Sequence, residues 1–436
     1  MKGPLDPSVY DTTRRVESWW EASAPSWRDP GPLSGEIQTE VAIIGGGYAG
    51  LACAIRLGEL GIGSVVLDAG AIGWGASGRN GGIVGTRSDK LSESALVRRY
   101  GEKEYGRYVE AAVAMNHQIR TFCLENGLAD CIQGDCEFEL AHSARTAIRM
   151  ERSQSEYGIE LTRLPPDSAP GIRCHGGQII RPGFGIHPLR LVRALADRAQ
   201  ALGVRVHPRS EVTLWERAGH GHRLVAAGGA ATARSVVLAT NDFTPDGLNH
   251  RFDGRAIPVI SNIGVTRVLT EEERASIAWL GGNPGADSRR LLSYFRLLPE
   301  GRFLLGMRGD VRGSEAGAAR MRRAVSARIA EQFPALAEAE ITHFWRGPVC
   351  ATASMTPSVG LLRDDPTVGH VFAWHGSGIT GAQLGGRLLA EVIAGKSTDH
   401  IPAPLRGLAP RLPLPGLRPL YVGAMLGLYR ISDALS

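Results

Sequence analysis

The chain has 436 residues, 43% of them hydrophobic and 21% charged, with a formal net charge of +5. That length fits two domains or one large composite one, and the composition is that of an ordinary globular enzyme. The mild positive charge comes from arginines spread along the chain, with no basic block that would argue for nucleic-acid binding. Six cysteines lack the paired short spacing of a zinc site, so reduced thiols and no metal are expected.

Residues 1–37 read as a polar arm with the pair Trp19-Trp20 and a proline-rich stretch from Ala24 to Leu33. Met1 to Arg15 holds no apolar signal-peptide core, and a cytoplasmic protein is expected. The run Val41-Ala42-Ile43-Ile44 then breaks directly into Gly45-Gly46-Gly47-Tyr48-Ala49-Gly50 and a helix. An acidic residue, Asp68, closes the next apolar run, Val65 to Leu67, with Ala69 after it. This is a dinucleotide-binding fingerprint in its proper context. Gly45 permits the tight turn, Gly47 lets backbone approach a pyrophosphate, and Gly50 lets the helix lie close to the strand. The helix N-terminus at Tyr48 and Ala49 offers N–H groups to phosphates. Asp68 is placed to accept hydrogen bonds from a ribose, and its charge disfavours a 2′-phosphate.

A second glycine-rich stretch follows: Gly73-Trp74-Gly75-Ala76-Ser77-Gly78-Arg79-Asn80-Gly81-Gly82. A nicotinamide-only domain has no evident need for it. A flavin dinucleotide does, because its ribityl chain and ring system extend past the pyrophosphate and need close backbone approach. Ser77, Arg79 and Asn80 supply polar contacts along that length.

Leu91 to Gly127 reads as helical, and Glu137 to Leu140 as a short strand. A helix opens at Pro188 and stops near Leu202-Gly203. Strands at Val204–Val206 and Ser235–Ala239, with Glu211-Val212 after a turn and Thr240-Asn241 at the end, return the chain to the first parallel sheet. Val259–Val268, Leu291–Leu297 and Phe303–Gly306 read as an antiparallel sheet in a separate domain. Glu315 to Gln332 is an arginine-rich helix with a solvated face. Near the end, Val371–Trp374 leads through His375-Gly376-Ser377-Gly378 into a helix beginning Ile379-Thr380 and stopped by Gly395. N–H groups at that helix start favour negative charge developing on a reduced flavin. Leu420 to Leu428 is apolar but too short to span a bilayer, so no membrane span is expected.

Together these segments resemble the FAD enzymes of the D-amino-acid-oxidase-like superfamily, and most of all their γ-glutamylputrescine oxidase-like branch. The resemblance rests on Gly75 to Gly82, His187-Pro188, Ala239-Thr240-Asn241, Tyr294-Phe295-Arg296, Trp345-Arg346-Gly347, and the Thr352, Pro357, Gly360 series. Where that branch has Ser-Gly-His-Gly before its last helix, this chain reads His375-Gly376-Ser377-Gly378. The implied fold is α/β: a Rossmann-like FAD-binding domain of the glutathione-reductase type, with a second α+β domain on an antiparallel sheet. The implied division is an arm over 1–37, an FAD-binding domain over 38–90, 180–250 and 340–400, a substrate domain over 91–179 and 251–339, and a tail over 401–436.

The resemblance implies FAD held by Gly45, Gly47, Tyr48, Ala49, Gly50, Asp68 and Ala69 from the first segment. Gly75, Ala76, Ser77, Arg79, Asn80, Gly81 and Gly82 come from the second, and Gly376, Ser377, Gly378, Ile379 and Thr380 from the last, with Val212 and Thr240 between. It implies oxidation of an amine or amino-acid C–N bond by hydride transfer to flavin N5. The resulting imine hydrolyses, and O2 or another acceptor reoxidises the flavin, giving hydrogen peroxide in the first case. Arg296 is expected to pair with a substrate carboxylate, Tyr294 to close the pocket, and His375 to hydrogen-bond within it. Cys350 raises the question of a covalent flavin, and a non-covalent one is expected. The alternatives are an FAD monooxygenase or other non-amine oxidoreductase, and a partner-dependent flavoprotein subunit. The sequence gives no oligomeric state.

Overall fold

The computed structural model describes residues 3–435. Two large sheets organise it. In the first, strands Ser358–Leu361, Val368–Phe372, Gly229–Leu238, Gly35–Ile44, Ser64–Leu67 and Arg205–His207 lie side by side in that order. Its central pairings are parallel, with Val41 to Ile44 opposite both Ser64 to Leu67 and Ser235 to Leu238. Val41, Ala42, Ile43 and Ile44 are all buried, as a parallel strand covered on both faces requires. The hairpin Leu214–Ala218 and Gly221–Ala226 extends from the 229–238 strand.

Helices cover the first sheet. Helix Tyr48–Glu59 follows the first strand, and fully buried Leu51 and Leu57 each contribute roughly 2 kcal/mol of apolar burial. Helix Gly378–Ile393 crosses it at a glycine: a Cβ on Gly386 would lie 2.2 Å from the Ala49 carbonyl oxygen. Helix Pro188–Ala201 carries Pro188 in its first turn, and the His187 ring accepts from the Arg190 N–H at 3.3 Å. The helix expected from Leu91 to Gly127 is two helices, Glu93–Tyr100 and Glu102–Glu125. Gly101 divides them at φ +83°, where its N–H bonds back to the Val97 carbonyl. Tyr105, Tyr108 and Val109 on the second helix share one core with Leu384 and Leu388 and with Ile263, Val265 and Leu304.

The second sheet runs Ile341–Ala351, Ile257–Val268, Arg302–Arg308, Ser293–Leu297, Gly285–Asp287, Glu137–Leu140, Gly177–Arg181, Glu160–Leu164. All neighbours are antiparallel except the pair 285–287 with 137–140. Helix Glu315–Gln332 packs against it through Val325 and Ile329, opened by Ser314, whose hydroxyl accepts from the Gly317 N–H. Its arginines meet carboxylates at the rim, Arg320 at 3.4 Å from Asp310 and Arg328 at 3.1 Å from Glu331.

Two boundaries move. The first strand begins at Gly35, inside the expected arm. The 341–351 strand belongs to the second sheet, so the chain returns to the first only after Ala351 and not at 340. The arm itself is anchored: Trp20 is buried, and its indole donates to the Asn80 carbonyl at 2.8 Å. The tail ends in helix Arg418–Leu435, whose Asp433 accepts from the Arg290 and Leu291 N–H groups at 2.8 and 3.1 Å. Among the described residues, no helix is long and apolar enough to cross a membrane.

Candidate active site

One cavity of about 280 Å³ runs from the glycine turn of the first sheet to the face of the second. Gly45, Gly47, Tyr48 and Ala49 line one end with Asp68 and Ala69. The Asp68 carboxylate accepts from the Gly46 N–H at 2.7 Å and the Gly70 N–H at 2.8 Å, which braces the turn. Burial pushes its pKa above the usual carboxylate range, and these N–H groups act against that. Gly45 sits at φ +108°, and a Cβ there would lie 2.7 Å from the Ala239 carbonyl oxygen. Ser77 reaches across to accept from the Tyr48 N–H at 3.0 Å.

The second glycine-rich stretch forms the next part of the wall, with Gly75, Ala76, Ser77, Arg79, Asn80 and Gly81 on the cavity. Arg79 stacks 4.1 Å over the Trp74 ring and donates to the Trp74 carbonyl at 2.5 Å. Burial lowers its pKa to about 9. Asn80 closes its own loop, accepting from the Gly82 N–H at 2.8 Å. Val212 and Thr240 also face the cavity.

Gly376, Ser377, Gly378 and Ile379 complete the opposite wall. The turn before them is unusual, with Ala373 at φ +71°, His375 at φ +51° and Gly376 at φ +99°. Left-handed residues of this kind cost energy and persist where surroundings fix them. Here the Ala373 N–H donates to the Asn241 side chain at 2.9 Å and the His375 N–H to the Cys350 carbonyl at 3.0 Å. Helix 378–393 opens without a side-chain cap, as does helix 48–59. Two helix N-termini therefore enter a single cavity, each favouring negative charge.

Four expected site residues lie off this cavity. Gly50 is behind the turn, where a Cβ would meet the Gly45 carbonyl oxygen at 1.9 Å; its role is packing. Gly82 offers its carbonyl to Arg296 at 2.8 Å, and Thr380 spends its hydroxyl on the Gly85 carbonyl at 2.5 Å. Arg296 is 1% exposed and donates to the carbonyls of Gly81, Gly82 and Ile186 and to the Gln133 side chain. It braces the glycine loop and cannot reach a substrate carboxylate. Tyr294 does line the cavity, with its hydroxyl 3.0 Å from Ser261 Oγ. His375 lines it too, and burial holds its ring neutral, with the pKa lowered to about 4. Lys90, Glu137, Ser261 and Arg308 were not foreseen. Each is a lone polar residue in a different segment, with no local pattern to mark it.

Cys350 is 1% exposed, and burial next to Asp242 pushes its thiol well above the ordinary range. Such a thiol is a poor nucleophile. Acid precipitation of the holoprotein is therefore expected to leave the pellet colourless; yellow retained in the pellet would show a covalent link. Asp242 is itself buried, which raises its pKa well above 3.8, and the Cys350 thiol beside it acts against that. The folded state then holds a proton that the unfolded state releases above about pH 4, so stability falls as pH rises. Asp242→Asn is expected to gain stability relative to the parent on going from pH 4 to neutrality. Parallel urea titrations across that range check this, and a pH-independent difference refutes it.

The fold and cavity define a flavoenzyme: a nucleotide-binding parallel sheet joined to a second sheet across one cleft. The glycine cradle, the Asp68 carboxylate and the two helix N-termini fit FAD. Residues 40–392 match the family described as FAD dependent oxidoreductase (DAO). The chain belongs to that family and is an FAD-dependent oxidoreductase.

It is 29% identical over 422 residues to gamma-glutamylputrescine oxidoreductase of Escherichia coli K12, covering 94% of this chain and 96% of that protein. It is 30% identical to the probable oxidoreductase OrdL of Rhizobium meliloti, covering 88% and 89%. Among solved structures, glycine oxidase from Geobacillus kaustophilus superposes with a TM-score of 0.70 at 21% identity, covering 86% of this chain and all of that one. L-proline dehydrogenase from P. horikoshii gives 0.67 at 18% identity, covering 84% and 95%. At those identities the likeness is one of fold.

Proposed function

We propose that the chain oxidises a C–N bond of an amine or amino acid, with O2 or another acceptor as the final oxidant. The observation that carries this reading is the single cavity, which joins a nucleotide cradle to a pocket walled by Tyr294, Ser261 and Arg308. The Escherichia coli relative, named for an amine, supports it. Bound FAD supplies the two-electron oxidation, and the protein supplies position and dryness. Asp68 would hold the ribose, and the N-terminal ends of helices 48–59 and 378–393 would favour the cofactor's negative charge. Tyr294, fixed by Ser261, closes the substrate side, and neutral His375 shapes the wall next to Arg308. Segments of the first sheet form the cofactor domain and the second sheet forms the substrate domain. A reducing, cytoplasmic setting suits six cysteines that all stand unpaired.

The test is anaerobic mixing of the yellow holoprotein with a panel of amines and amino acids, followed by admission of air. Bleaching by an amine is the expected result. Rapid recolouring with peroxide then marks an oxidase, and slow recolouring marks a dehydrogenase that needs its acceptor. A flavin that no amine bleaches counts against C–N oxidation.

A further inference from the structure

The last helix, Arg418–Leu435, has two faces of opposite character. Its inner face buries Val422 and Leu426. The far end is tied down by Arg290, which reaches Ser432 Oγ at 3.2 Å and stands 5.6 Å over the Tyr429 ring. The outer face is apolar and open. Leu420, Leu428, Ile431 and Leu435 lie on it, with Leu417 in the turn just before, and their exposure runs from 42% for Leu417 to 76% for Leu435. With exposed Ala424 they recur at intervals of 3, 4, 4, 3 and 4 residues, which makes one straight stripe along a helix.

Single exposed leucines are ordinary on a protein surface, and a continuous stripe is not. This one presents on the order of 600 Å² of apolar surface, against the roughly 800 Å² per partner that a stable dimer buries. Tyr421 and Gly427 flank the stripe and supply a rim. Its middle is notched, because Ala424 and Gly427 stand between Leu420 and Ile431. Glycine inside a helix is destabilising relative to alanine. Within this chain nothing offsets that at Gly427: outside the helix's own backbone, a Cβ there would meet no atom of the described residues within 4 Å. Gly386 shows what such a residue does when its neighbour is present, since it lets helix 48–59 come close.

We infer that a second copy of this chain covers the stripe, the two 418–435 helices crossing antiparallel at Ala424 and Gly427 about a two-fold axis. Ala424 of one copy then meets Gly427 of the other, and Leu420 meets Ile431, so small faces small and large faces large. The two Arg430 side chains stand roughly 13 Å apart along the helix axis, where salt screens their repulsion. A lipid surface fits this helix less well. An interfacial helix carries a row of cations on its polar face, whereas Arg430 is the one exposed charge here among the described residues, and the opposite face is spent on the protein. Lipid also has no use for the notch. The pairing is independent of which substrate the cleft takes.

The test is sedimentation equilibrium of the holoprotein over a wide concentration range, with parallel pelleting of phosphatidylglycerol and phosphatidylcholine vesicles. A dimer that dissociates on dilution is expected. Leu428→Glu is expected to raise its dissociation constant about a hundredfold, because the carboxylate is desolvated only in the dimer. Its flavin content should be unchanged and its Tm equal to that of the diluted, monomeric parent. Gly427→Leu enlarges the stripe and favours the helix, yet is expected to weaken the dimer about tenfold or more by filling the crossing. It decides the matter should Leu428→Glu lose flavin. A chain that stays monomeric at every concentration overturns the proposal, and so does a dimer whose strength neither variant changes. A monomer that pellets with vesicles, and does so more strongly as Gly427→Leu, overturns it in favour of a lipid surface.

Discussion

Gly50→Ala is expected to yield protein that folds poorly and purifies without flavin. In an exposed helix interior the same change would gain about 1 kcal/mol from helix propensity. Here the new Cβ would lie 1.9 Å from the Gly45 carbonyl oxygen and 3.2 Å from the Ile43 side chain. The obstructing atom is backbone, in the turn that places Gly46 and Gly47 at the cavity, so relief requires moving the cradle. The cost is set by overpacking against an element that cannot rotate away, at least about 3 kcal/mol. Flavin absorbance per protein and the thermal midpoint check this. A Gly50→Ala protein with full flavin and unchanged Tm would remove the tight-crossing account of the fingerprint.

Arg296→Met is expected to cause a comparable loss, in stability rather than in substrate affinity. The guanidinium joins the Gly81, Gly82 and Ile186 carbonyls to Gln133, at 3.1, 2.8, 2.9 and 2.5 Å. Removing it strands buried acceptors, each costing roughly 1–3 kcal/mol, and releases the loop that forms the second wall of the cavity. Lysine cannot span these acceptors, so Arg296→Lys is expected to fail as well. Unfolding titrations, with KM measured on whatever holoprotein survives, decide it. A fully stable variant with KM raised only for carboxylated substrates would restore Arg296 to the binding site.

The misreading of Arg296 has a simple origin. Tyr294 and Arg296 are two residues apart on one strand and share a face, so alternation alone sends both toward the cleft. The cavity ends between them: Tyr294 lines it, while Arg296 has passed beneath the Gly81-Gly82 loop. Strand 341–351 contains Gly347 and Pro348, residues that strands disfavour, so its run of residues does not mark it as a strand. It is an edge strand, where a missing N–H is tolerated, and Pro348 stands opposite Ile260 in register. By contrast, the turn from Val41 to Gly50 was readable because every requirement falls within a few residues of the next. Lys90, Glu137 and Arg308 line one cavity only because three separate segments converge on it, and one sequence carries no local trace of that.

The cavity wall draws on residues from Thr12 to Ala382. The first glycine turn emerges early in synthesis, but the helix that faces it across the cofactor starts at Gly378. Early segments alone present half a groove, open to water and lacking one of its two positive ends. Flavin capture is thus a late event in the life of each molecule, and yellow colour is a tally of finished chains.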